Sequence, residues 1–289
     1  MNRRSFLTNS LMATTGTVIG LNSFVNALAE TKSSDAKMPV LFVGHGNPMN
    51  AIEPNEFHKS WETLGKQLPK PKAILCVSAH WLTKGTKVTA MEKPKTIHDF
   101  GGFPDELFAV EYKVAGSPSF ADETKTLVTK TKVESDFEWG LDHGTWSVIM
   151  PMYPQADIPV FQLSIDYTQP PQYHYDLAKQ LAALRTKGVL IVGSGNIVHN
   201  LRMMDFSGKS YDWAIEFDNA IKGFIDTRNH QGVIDYDKLG NAAKLSVPTN
   251  DHYLPLLYSL ALQEKNDDVK YFNEKIDLGS ASMRSLVIG

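Results

Sequence analysis

Four short runs limit the fold of this chain more than any other feature: Pro39–Val43, Ala73–Ser78, Val160–Ser164 and Val189–Gly193. Each is dominated by Val, Ile, Leu, Phe or Ala and shows little of the in–out alternation that a half-exposed strand would need. Such runs read as central strands covered on both faces. Helical candidates lie between and after them. Asn55–Leu68 places Phe57, Trp61, Leu64 and Leu68 on one stripe and stops before Pro69. Ser119–Thr131, Gln172–Lys187, Tyr211–Thr227 and His252–Gln263 follow, and Gly279–Ile288 reads as a last strand. Strands alternating with helices predict an α/β domain with a central, mostly parallel sheet and helices on both faces.

Histidines collect at one edge of that predicted sheet. His45 follows the first run, His80 the second and His199 the fourth, while His252 sits in a polar turn before Tyr253-Leu-Pro. Ligands bind open α/β sheets outside the C-terminal ends of the strands, so these residues predict a metal site at that edge. Gly44 and Gly46 flank His45 and leave room for a ligand to approach the backbone. Asp251 is placed either to bind the metal or to orient His252. Two segments read as long loops. Lys93–Glu106 is rich in glycine and aromatic residues, and Glu138–Met152 holds His143 between Asp142 and Gly144. Of the nine histidines, His58, His174 and His230 fall on polar faces or loops and read as solvent-exposed.

Residues 1–29 read as an address. Arg3-Arg4 precedes Ser-Phe-Leu, a mildly apolar stretch follows, and Ala27-Leu-Ala29 offers a signal-peptidase site. This resembles a Tat-type export signal, so the Tat machinery is an expected partner and the periplasm the expected location. Asn22 and Asn26 interrupt the stretch, which argues against stable insertion in a membrane. Residues 30–38 form a linker, and 39–289 have the length of one catalytic domain. The formal charge is -3, and loss of Arg3 and Arg4 takes it to -5, which offers nothing to nucleic acid. Cys76 is the only cysteine, lies within an apolar run and reads as core.

Six motifs then occur in order: Gly44-His-Gly-Asn-Pro-Met, Val77-Ser-Ala-His-Trp, Ile97-His-Asp-Phe-Gly-Gly-Phe-Pro, Leu141-Asp-His-Gly-Thr-Trp, Gly195-Asn-Ile-Val-His-Asn and His252-Tyr-Leu-Pro-Leu. Together they resemble the class III extradiol ring-cleavage dioxygenases, in the DOPA 4,5-dioxygenase branch, from about Pro39 to Gly289. The resemblance implies His45, His80 and His252 as metal ligands, with His199 as a possible fourth contact. It implies His199 as general base and His143 as general acid, both working near neutrality, and His98 as a lining residue of the substrate pocket. The implied cofactor is Fe(II), with Zn(II) able to occupy the site in purified protein. The implied reaction is extradiol cleavage of a DOPA-like catechol by O2, giving a muconic-semialdehyde-type product. Three neutral ligands would leave the metal more of its charge than the usual pair of histidines with a carboxylate.

Asn47 stands where relatives often carry Ser, and the export signal also departs from familiar cytoplasmic relatives. Three histidines with an open position equally describe a zinc-dependent hydrolase. A periplasmic metal- or catechol-binding protein without activity is the other alternative. Arg284 is the one cation weighed as a partner for an acidic substrate, and it reads as a surface residue.

Overall fold

Six strands form the central sheet of the computed structural model, which describes residues 20, 21, 23–25 and 37–289. The twin arginine, the expected cleavage site and residues 30–36 of the linker lie outside the described residues. The strands are β1 (Val40–Gly44), β2 (Ala73–Ser78), β3 (Val160–Gln162), β4 (Val189–Gly195), β5 (Val269–Phe272) and β6 (Ser285–Ile288), in the spatial order β3-β2-β4-β1-β6-β5. The first four are mutually parallel, and β6 runs antiparallel between β1 and β5. The four apolar runs are thus the four parallel strands. Each buries both faces because its side chains alternate between two cores. Val40, Phe42, Leu75, Val77 and Ile191 face one cluster, while Leu41, Val43, Ile74, Cys76 and Val192 face the other.

The helices cover these faces. Helix α1 (Glu56–Gln67) is capped by Asn55, whose side chain accepts from the N–H groups of Phe57 and His58, and it buries Phe57, Trp61 and Leu64. Helix α2 (His143–Met152) replaces most of the loop expected over Glu138–Met152. Asp142 is its N-cap and accepts from the Thr145 N–H. Gly144, Pro151 and a nearly all-apolar surface hide this helix from a periodicity argument, since a helix buried on every side has no polar stripe. The helix expected over Gln172–Lys187 is two pieces, α3 (Pro171–Lys179) and α4 (Ala182–Thr186). Between them the backbone bonds tighten to i→i−3 at Gln180 and Leu181, and Gln180 accepts from the N–H groups of Thr129 and Lys130. Helix α5 (Asp212–Asp226) follows the expected range closely, whereas α6 (Leu254–Leu260) starts after His252 and leaves that histidine in a turn. The last expected strand is interrupted. Ala281–Ser282 pairs with Ile276–Asp277 before the chain enters β6.

Four charged or polar residues expected outside are buried or half-buried. His174 is fully buried, and its Nδ1 lies 2.9 Å from the Tyr258 hydroxyl. His230 is half-buried between Tyr175 Oη and Gln263 Oε1, and His58 is half-buried with Nδ1 3.0 Å from the Asn50 carbonyl. Arg284 is buried, donating from Nε and Nη2 to Asp218 Oδ2 at 2.8 and 2.6 Å and pairing with Glu274. It is therefore part of the scaffold between α5 and β6. Part of the segment read as an address also packs on the domain, since Val25 is buried in the same cluster as Met38, Leu41 and Phe272. Among the described residues, no helix is long and apolar enough to cross a membrane.

Candidate metal centre

The central three strands end at one level. Ser78 pairs with Ser194, and Gly44 with Gly195. Past this level, the His45 N–H donates to the Gly195 carbonyl at 3.1 Å and the Ala79 N–H to the Ser194 carbonyl at 3.0 Å. The register therefore delivers His45 and His80 on either side of β4. His252 comes to the same place because the Asn196 N–H donates to its carbonyl at 2.8 Å. That approach requires Gly195, where a Cβ would lie 2.2 Å from the His252 carbonyl oxygen. Gly44 and Gly46 serve packing and not ligand access. A Cβ on either would meet Met283, its backbone at 2.8 Å in one case and its sulfur at 2.4 Å in the other. Asn47 Oδ1 accepts from the Met49 N–H and caps the turn at Pro48–Ala51.

Five imidazoles share the sheet edge. Ring centroids are 5.1 Å apart for His45 and His80, 5.2 Å for His45 and His252, and 4.9 Å for His80 and His252. His143 lies 3.9 Å from His80, and His199 stacks on His252 at 3.5 Å. Donor atoms of His45, His80 and His143 fall within 4.8 Å of one another, as do those of His199, Asp251 and His252. Distance alone groups His143 with two expected ligands, so chemistry must separate the roles.

The tautomers separate them in part. Ser194 Oγ donates to the Gly144 carbonyl at 2.5 Å, so toward His45 Nδ1, 3.0 Å away, it acts as an acceptor. His45 then carries its proton on Nδ1 and leaves Nε2 free. His252 Nδ1 is hydrogen-bonded to Asp251, which leaves its Nε2 free as well. Asp251 is thus seen in the orienting role and not in the ligand role. Nε2 of His80 lies 3.2 Å from Nε2 of His45, an approach that suits two lone pairs only with a cation between them. Neutral imidazole nitrogens gathered at one sheet edge, with those of His45, His80 and His143 within 4.8 Å of one another, fit a divalent metal of the zinc or iron type.

Electrostatics agree. Burial first, and then neighbouring imidazoles, push His45 and His80 well below the ordinary histidine range. His199 is pushed down to about 3 by burial and by His252, against the pull of Asp251. An imidazole that low departs from the expected near-neutral value and is unprotonated at neutral pH. Burial raises Asp142, and the charge of Asp99 raises it further, although Gln162 and Ser78 donate to it at 2.7 and 2.6 Å. Cys76 is buried and its thiol is pushed up by burial, as expected for core.

His98 does not join the cluster. Its Nε2 lies 2.9 Å from the Val110 carbonyl, and its ring packs on Phe100, Phe108 and Trp146. Phe100 then meets His143 edge-on at 5.4 Å, so His98 braces the aromatic layer behind that residue. Sequence reasoning overlooked Ser194 and Asp99. The Asp99 carboxylate lies against both His80 and His143, and a carboxylate within the quoted His98-Asp-Phe motif was the available signal.

The family model for the catalytic LigB subunit of aromatic ring-opening dioxygenase matches residues 39–278. A protein of Escherichia coli K12 named 4,5-DOPA dioxygenase extradiol is 47% identical over 264 residues, covering 89% of this chain and 96% of that protein. A Beta vulgaris protein of the same name is 35% identical, covering 88% of this chain and 97% of its own length. The crystal structure of an uncharacterized protein from Escherichia coli K12 superposes with a TM-score of 0.77 at 42% identity, covering 88% of this chain and 100% of that one. With the sheet-edge histidines in place and the family model spanning nearly the whole domain, the chain belongs to the LigB family of aromatic ring-opening dioxygenases and is a class III extradiol dioxygenase.

Proposed function

We propose that this dioxygenase opens the ring of a DOPA-like catechol beside one of its hydroxyls, giving a muconic-semialdehyde-type product. His45, His80 and His252 would hold the metal, and His143 and His199 would move protons. The observation that carries this reading is the direction of the rings. His45 and His252 each turn Nδ1 to an oxygen and leave Nε2 free, His80 brings its Nε2 beside that of His45, and two further histidines lie against the three. A binding protein needs the three but has no use for the other two. Fe(II) at this position would supply the redox chemistry that lets dioxygen react with a catecholate, which Zn(II) lacks.

His199 takes a proton from a catechol hydroxyl as general base. Its position is fixed by its own N–H, which donates to the Ser246 carbonyl at 2.8 Å, and by its stacking on His252. His143, on the opposite side, gives a proton to oxygen as the ring opens. Phe100 packs edge-on against His143, with Trp146 beside Phe100. We further propose export by the Tat route to the periplasm, with removal of residues 1–29.

The experiment is oxygen uptake with a simultaneous absorbance scan. Protein stripped of metal is reloaded anaerobically with Fe(II) or Zn(II) and offered L-DOPA and simple catechols. Oxygen consumption with a yellow product in the iron sample alone is expected. Confirmed iron without oxygen consumption on any catechol would sink the proposal and return the zinc hydrolase and the binding protein to consideration.

A further inference from the structure

Asp99 brings three contacts to one carboxylate on the Lys93–Glu106 loop. Its Oδ1 accepts from the His143 backbone N–H at 2.9 Å and lies 3.0 Å from His143 Nδ1. Its Oδ2 lies 3.4 Å from His80 Nδ1. Around the cluster, Ser194 and Asp251 already hold the Nδ1 atoms of His45 and His252. Among the described residues, Asp99 is the group found beside the Nδ1 atoms of both His80 and His143. His143 Nδ1 is buried and has no aligned hydrogen-bond partner, and the Asp99 carboxylate lies 3.0 Å from it.

The loop cannot easily carry Asp99 away. The N–H groups of Ile97 and Leu141 donate to the carbonyls of Leu141 and Lys95, both at 2.8 Å, and Trp146 Nε1 donates to the Ile97 carbonyl at 2.8 Å. A purely structural role for Asp99 would be to satisfy the first N–H of α2. Asp142 already caps that helix through Thr145, which leaves the two ring contacts unexplained by capping.

We propose that Asp99 is a positioning residue that turns the Nδ1 atoms of His143 and His80 toward the loop and their Nε2 atoms toward the metal position. One carboxylate thereby couples the proton-donating histidine to a metal-binding histidine. The assignment of those two roles rests on the proposed function, whereas the ring orientations do not.

The test is Asp99→Asn. Asparagine keeps Oδ1 for the His143 N–H but presents an amide N–H to His80 Nδ1, a donor facing a donor. In the diamagnetic Zn(II)-loaded protein, histidine ring 15N shifts should report the Nδ1–H tautomer for His80 and His143 in the wild type. They should report a changed or mixed tautomer for at least one of them in the variant. Zn(II) affinity should fall by about 10- to 100-fold, the usual effect of removing a group that orients a ligand histidine. With iron at saturating concentration, kcat should fall by about 10-fold or more while KM changes little. In a His143→Ala background the same substitution should cost less kcat, the remainder being the part that acts through His80. Unchanged tautomers with unchanged metal affinity would overturn the proposal, as would an equal loss of kcat with and without His143. If the wild type cleaves no catechol, the functional reading fails while the 15N shifts and metal affinity still decide the role of Asp99. Should Asp99→Asn not fold, Asp99→Ser, which removes the carboxylate's reach to His80, answers the same question.

Discussion

At the scale of single residues, the site depends on small groups that fix proton positions. Ser194 is the clearest, because its hydroxyl proton is committed to the Gly144 carbonyl and its lone pairs face His45 Nδ1. Ser194→Ala removes that acceptor and frees the ring to flip or change tautomer. Metal affinity should fall by about 10- to 100-fold, read by competition with a chromophoric chelator. The moving histidines behave differently. His143→Ala or His199→Ala should retain bound metal and lose about 100- to 10,000-fold in turnover. Full turnover in either variant would show the role to be misassigned. The gathering of His45, His80 and His199 at one edge was legible because each lies just past a strand run. Ser194 was not, because it lies 149 positions from His45 and falls in a Gly-Ser-Gly stretch just past the expected strand.

At the scale of elements, the site exists because α6 approaches the end of β4 closely. Gly193 would meet the Pro255 carbonyl oxygen at 2.4 Å if it carried a Cβ, and Gly195 would meet that of His252 at 2.2 Å. Gly195→Ala should push the His252 turn away from β4. The expected cost is about 1–3 kcal/mol of overpacking, with weakened metal binding, measured by urea unfolding and metal titration. Gly223 is the control. It lies exposed in α5 with nothing within 4 Å of its would-be Cβ. Gly223→Ala should stabilise by about 0.5–1 kcal/mol through helix propensity. The sequence marks both positions simply as glycine, so only the packing tells a required one from a replaceable one. The same limit hid α2, whose all-round burial erased the stripe by which amphipathic helices are recognised.

At the scale of the whole molecule, stability should depend on pH through a histidine remote from the metal. His174 is buried between α3 and α6, and burial pushes its pKa down to about 4. The folded protein holds it neutral, while the unfolded chain takes up the proton near pH 6.5. Its contribution is therefore fully present above about pH 6.5 and is lost as the pH falls toward 4, by about 3 kcal/mol at most. Urea unfolding between pH 4 and 7, compared with His174→Gln, should show this slope in the wild type and a flatter one in the variant. Equal slopes would place the acid sensitivity elsewhere, for instance in the metal-site histidines.

The sequence by itself determined the parallel sheet, the edge at which its strands end and the histidines gathered there. These follow from local pattern: apolar runs make strands, and a residue just past a strand is delivered to that strand's end. Tertiary structure decided which nitrogen of each ring is free, which glycines are indispensable and which charges are buried. Arg284 meets Asp218 across 66 positions, and His174 meets Tyr258 across 84. The physical reason is that hydrogen bonds and desolvation act between neighbours in space. Side-chain type and periodicity report only neighbours along the chain.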